Sequence, residues 1–231
     1  MTSLIAACAL FFLIHSLISG TGLRGSIAGA IGEKPYRALF AVLSLVGIVW
    51  MAMSYNHVSE IGSRYLWNLG HAGHGIAMLL VFLALIYVVV GVATKNPTAM
   101  QQEGLLAQEE PAQGIVRVTR HPFLVGVTLW ALAHLLANGD LHSLIFFGTF
   151  LLVSVIGMAN IDAKRQKRDP EGWARFAAKT SRTPFVAIIQ GRNSLKIGEI
   201  GWGKIAAGVA VFALILYFHG WIFGVDVMRP A

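Results

Sequence analysis

A chain of 231 residues could hold one or two water-soluble domains, but 56% hydrophobic and 13% charged residues, with a mean hydropathy of +0.66, do not describe a soluble surface. The composition implies an all-α, polytopic membrane bundle. The net charge of +7 could suggest nucleic acid, yet the basic residues are sorted by loop and not interleaved with aromatics on one surface, so no nucleic-acid partner is expected.

Six apolar runs approach the about 20 residues needed to cross the hydrocarbon layer. They cover residues 3–19, 36–54, 74–93, 122–138, 141–160 and 204–224. The first is expected to be a retained span: nothing basic precedes it, no small-residue cleavage site stands out, and polar His15 lies inside it. It also carries Cys8, the single cysteine, so no disulfide framework exists and helix packing must hold the fold. The third run opens on "NLGHAGHG", with His71 and His74 three residues apart. Before the fourth, "EEPAQGIVRV" reads as a polar loop, and an "NGD" turn after it predicts an antiparallel hairpin with the fifth. The Asp162–Arg168 run reads as a solvated helix end resting on anionic lipid headgroups.

Charge fixes the expected orientation. Arg24, Lys34 and Arg37 lie between runs one and two, Lys95, Arg117 and Arg120 between three and four, and ten more basic residues between Lys164 and Lys204. Only Arg64 and Arg229 fall on the other side, so the positive-inside rule places both termini outside and a basic cytoplasmic segment at about residues 161–203 of a single membrane domain, 1–231. No Walker loop, CxxC pair or GxSxG elbow is present, which leaves the usual soluble-enzyme chemistries without a foothold.

An imidazole inside a span is costly and usually faces a bundle interior, which makes His15 and His134 candidate functional residues. His121 opens the fourth run between Arg120 and Pro122, while His57, His142 and His219 read as interfacial. Thirteen residues separate His121 from His134, about 20 Å of helix, so they cannot share a metal. Trp130 precedes His134 by one turn, with Gly126, Ala131, Ala133 and Ala137 nearby, a small-residue face that admits another helix or a flat cofactor. With His15, this suits a six-coordinate haem held by two neutral histidines; zinc is less suited because carboxylates and thiolates are lacking nearby.

At these residues the chain resembles a known family. "GIVRVTRHPFLVGVTLWALAHLLANGD", with "FFLIHSLISG" upstream and "KTSRTPF" downstream, is similar to NnrU membrane proteins, whose plant relative is 15-cis-zeta-carotene isomerase. The resemblance implies a bacterial inner-membrane protein associated with denitrification, contact with a nitrogen-oxide reductase system, and haem b ligated by His15 and His134. It also implies isomerase-like activity, and Ala131 stands where the relative can offer an alternative cysteine ligand. Trp130 would pack beside the macrocycle, and Arg117, Arg120 and His121 would meet propionates or lipid phosphates. The two ligands are expected about 12 Å apart in depth, with His71 or His74 as the alternative partner of His134.

The RHP motif also resembles the isoprenylcysteine and phospholipid methyltransferases, which bind S-adenosylmethionine. The corresponding residues are Arg120, His121, Asp162, Trp173, Phe176 and Arg182, although one carboxylate stands where those enzymes place glutamates. A non-catalytic assembly factor for a reductase is the third reading.

Overall fold

The computed structural model describes residues 1–18 and 20–227; Ser19, which ends the first apolar run, and Arg229 lie outside the described residues. The described chain is helical, with one isolated bridge between Tyr65 and Asp140. The first run forms α1 (Thr2–Phe12) and a π-helical turn at Leu13–Ile18, and α2 (Leu23–Ile31) then leaves at 84°. The next two runs are α3 (Glu33–Ile61) and α4 (Gly70–Val92). A short α5 (Ile115–Val118) precedes α6 (Pro122–Ala137), and α7 (Leu141–Arg168) follows across the tight turn. The basic segment folds as α8 (Pro170–Lys179), α9 (Val186–Ile189) and α10 (Ile197–Ile200), before α11 (Trp202–Phe223).

The protein is a multi-pass membrane protein, but six full spans are not what the helices provide. Four of them, α3, α4, α7 and α11, are long and apolar enough to cross, and the bent α1–α2 pair makes a fifth if it is one span. The fourth run is shorter than expected because α6 has 16 residues, about 24 Å of helix, less than the about 30 Å hydrocarbon thickness.

Two compact units divide the chain, one of residues 1–78 with 131–163, the other of 79–130 with 164–231. In the first, Leu4, Ala7, Cys8 and Phe11 form a single stripe of α1 and pack with Met51 and Val58 of α3 against Ile145, Phe146, Phe150 and Val153 of α7. α1 and α3 run antiparallel: Ser3 Oγ lies 2.8 Å from Ser54 Oγ, while further along Gly47 faces Phe11. Cys8 is a buried hydrophobe of this core.

In the second unit, α4 and α6 pack backbone to backbone. A Cβ on Gly126 would stand 2.7 Å from Val88 Cγ2 and 2.8 Å from the Ala84 carbonyl oxygen, so the small-residue face is used here for helix approach. The expected polar loop "EEPAQGIVRV" keeps Glu109, Glu110 and Gln113 exposed, but its residues 114–118 are instead core. Ile115 and Val118 pack with Val90, and Val116 packs with Leu106, Ala112, Trp173 and Phe176. Three apolar residues in four, too short to show a period, cover two different hydrophobic clusters. α8 starts where Asp169 accepts a hydrogen bond from Gly172 N at 2.9 Å and Pro170 supplies a preset φ.

Candidate functional site

The first unit gathers three imidazoles around one aromatic cluster. His15 sits in the π-helical turn, where its Nδ1 lies 2.9 Å from the Phe11 carbonyl oxygen. Only a protonated Nδ1 can donate to a carbonyl, so the contact leaves Nε2 with its lone pair, the tautomer a metal ligand needs. Its ring stands 4.1 Å from Phe11 and 5.1 Å from Phe40. His134, in the last turn of α6, stacks on Phe147 at 4.6 Å and 25°. Phe147 meets Tyr55 at 5.9 Å, and Phe146, Phe150 and Phe11 continue the cluster towards His15.

These contacts also fix relative depth. His134 is level with Phe147, whereas Phe11 is level with Phe150 and His15 lies one turn beyond Phe11. The imidazoles are therefore staggered by about seven residues, or ~10 Å along the helices. His71 and His74 open α4, where Gly73 faces the Leu136 carbonyl oxygen at 3.4 Å from an ideal Cβ, so they lie at the His134 end. His71 is exposed and His74 half-buried. Trp130 is half-buried in α6, one turn before His134, and Ala131 and Ala133 are fully buried beside it.

The sequence reading missed the most heavily hydrogen-bonded histidine. His142, expected at an interface, is 7% exposed. Its Nδ1 lies 2.6 Å from Asp140 Oδ1 and 2.6 Å from Ser63 Oγ, and its Nε2 lies 2.8 Å from Ser59 Oγ. Asp140 caps α7 by accepting from Ser143 N at 2.8 Å, and its other oxygen accepts from Ser143 Oγ at 3.0 Å. Ser143 Oγ is in turn 2.9 Å from the Tyr55 hydroxyl, and the Tyr55 ring lies 4.8 Å from the His142 ring. The available signal was "DLHS", an N-cap aspartate two residues before a histidine; Ser59 and Ser63 come from more than 75 positions away.

In the second unit the two downstream motifs interlock. Arg120 N donates to Ser181 O at 2.9 Å, Thr119 Oγ1 to Arg182 O at 2.6 Å, and Phe185 N to Val118 O at 2.9 Å. Asn96 and Thr98 donate to the Arg120 carbonyl, and the Arg120 guanidinium lies 5.4 Å from the Trp173 ring. His121 is 2% exposed.

Arg117 was expected to meet a propionate or phosphate, but it is 7% exposed and committed within the protein. Its Nε and Nη2 donate to Glu199 at 2.7 and 3.2 Å, and its Nη1 donates to Asn193 at 2.8 Å. This fork, aided by Gly114 N and Lys196, holds the Glu199 carboxyl down at about 2. The Asp162–Arg168 run is solvated only at its end: Gln166, Lys167 and Arg168 are exposed, with Arg168 pairing with Glu103, whereas Asp162 is buried and Arg165 donates to the carbonyls of Pro97 and Ala99. Helical geometry alone could not reveal these partners, which come from the 97–103 loop.

Of the residues matched to methyltransferases, Trp173 and Phe176 fill a hydrophobic core, with Phe176 at 0% exposure, and Arg182 is exposed. The open cleft of about 540 Å³ in this unit is lined by Arg117, Lys179, Arg192 and Lys196 with Glu110, which already pairs with Lys179. Such a lining favours an anion over a sulfonium.

The NnrU protein family model matches residues 3–227. The chain is 30% identical over 189 residues to the maize (Zea mays) chloroplastic 15-cis-zeta-carotene isomerase and 31% identical over 197 residues to the Arabidopsis thaliana enzyme of the same name. Each alignment covers 80% of this chain and 50% of the relative, so the chain spans about half the length of the curated relatives it matches. No solved structure matches. With the family model spanning both units, the aromatic cluster as well as the RHP latch, the chain belongs to the NnrU family.

Proposed function

We propose that this protein binds haem b through His15 and His134 and carries out redox-dependent, isomerase-like chemistry on a membrane-dissolved substrate, in a bacterial inner membrane and in association with nitrogen-oxide reduction. The observation that carries the reading is the His15 hydrogen bond: a backbone carbonyl holds Nδ1–H and presents Nε2 as a neutral ligand. The donor chemistry suits haem, since two imidazoles, staggered by ~10 Å along the helices, border one aromatic cluster. The bound group would supply one-electron chemistry. The protein's part is to exclude water with Phe11, Phe146, Phe147 and Phe150 and to fix both rings. The isomerase reading draws on the two plant relatives, whose names state that activity.

Purification in mild detergent tests this directly. A Soret band and a pyridine haemochrome spectrum of b type are expected, both lost in His15→Ala and in His134→Ala and kept in His74→Ala. A colourless protein after haem supplementation rejects the reading. Calorimetric binding of S-adenosylmethionine would instead support the methyltransferase, and co-purification of a reductase without either signal would support an assembly factor.

A further inference from the structure

The Asp140–His142–Ser59 cluster has no part in the haem reading, and its connectivity has its own chemistry. Asp140 Oδ1 lies on His142 Nδ1 at 2.6 Å, and Ser59 Oγ lies on Nε2 at 2.8 Å. The Asp140 carboxylate beside Nδ1 draws the ring proton to that nitrogen, which leaves Nε2 to accept from the Ser59 hydroxyl. This is the order in which a serine nucleophile, its base and the group that orients the base must stand. Both orienting groups are locked. Asp140 is 6% exposed and takes two hydrogen bonds from Ser143, while the Tyr55 ring packs on the imidazole. Ser63 Oγ also lies on the Nδ1 side, so Ser59 alone faces the basic nitrogen.

Access is the second observation. His142 and Asp140 are buried, but Ser59 is exposed in the last turn of α3, at the end of a candidate span. Nearby residues Ile61 and Tyr65 are 70% and 74% exposed, an apolar surface for a hydrocarbon chain.

We propose that Ser59 is an acyl-accepting nucleophile, with His142 its general base and Asp140 a positioning residue, acting on carboxylic esters of amphiphiles that reach it from the headgroup layer. Ser59 Oγ attacks the ester carbonyl carbon as its proton passes to His142 Nε2. The tetrahedral adduct collapses by breaking the carbon–alkoxy bond, and the departing alkoxide takes that proton from His142. Water then attacks the acyl-Ser59 carbonyl, giving its proton to His142; the acyl–Oγ bond breaks, Ser59 recovers the proton, and the carboxylic acid leaves. No oxidant or further reactant is consumed.

The test uses the full chain in detergent with a fluorophosphonate probe, which forms an Oγ–P bond and releases fluoride, followed by peptide mass spectrometry. An adduct on Ser59 is expected, absent in Ser59→Ala and slowed by about 100-fold or more in His142→Gln, the scale of a lost general base. Asp140→Asn should slow it as well; because Asp140 also caps α7, melting is measured alongside, and if that variant does not fold the other two decide. Hydrolysis of a p-nitrophenyl butyrate ester should follow the same order. An unlabelled Ser59 in a protein with an intact melting transition, or labelling unaffected by His142→Gln, overturns the proposal. The absorption spectrum is read on the same samples, so loss of haem and loss of labelling are separable.

Discussion

Replacing Glu199 with Gln keeps the shape of the side chain and removes the charge that Arg117 faces. The guanidinium is 7% exposed, and two of its three nitrogens donate to this carboxylate. The drop from an ordinary glutamate's 4.5 to about 2, led by the Arg117 hydrogen bond and aided by Gly114 N and Lys196, corresponds, at about 1.4 kcal/mol per tenfold change in proton affinity, to at most ~3.5 kcal/mol for these partners together. Because 32% of the Glu199 side chain is exposed, screening lowers the expectation to about 1–2 kcal/mol. For a chain of this size that is a fall of roughly 3–6 °C in melting temperature. The folded-state pKa lies below the unfolded value, so the contribution is complete above about pH 4.5 and is lost as the pH falls towards about 2. Thermal melting in detergent, followed by tryptophan fluorescence, should therefore separate the native protein from Glu199→Gln at pH 7 and bring them together as the pH approaches 2–3. Equal melting temperatures at pH 7, or a gap that persists undiminished at low pH, would refute the role given to this pair.

Gly126→Ala should destabilise by about 1–3 kcal/mol, read as a lower melting temperature, because the added carbon meets the Ala84 carbonyl, which cannot rotate away. Trp173→Ala should cost about 3–5 kcal/mol and expose the basic segment to trypsin, since the indole fills a core with Leu106, Val116 and Phe176; unchanged proteolysis would contradict that packing. Phe147→Ala removes the ring stacked on His134, and its expected signature is a shifted Soret band with haem retained, measured against the complete loss expected of His134→Ala.

Membrane residence was written in the apolar runs themselves, because about 20 uncharged residues in a row can satisfy their backbone only as helices. His15 and His134 were singled out by the same logic, as imidazoles within such runs. Phe11 lies one turn from His15 in the same run, but the rest of their aromatic surroundings was not visible, because Phe40 and Phe147 reach them from other helices. The length of α6 and the bend after the π-helical turn also escaped, since an apolar run records hydrophobicity and not where a helix stops. "EEPAQGIVRV" deceived for a related reason: a four-residue helix buried on two sides has no period to display.

What the sequence determined by itself is therefore the membrane residence of the long apolar segments and the family. Tertiary structure decided which polar groups meet. Arg117 has its charge answered by Glu199, 82 positions away, and His142 became the buried centre of a network because the end of α3 and the residues just after it bring Ser59 and Ser63 against the start of α7. Hydrogen bonds and ion pairs act over about 3 Å, and only folding brings residues so distant along the chain within that range.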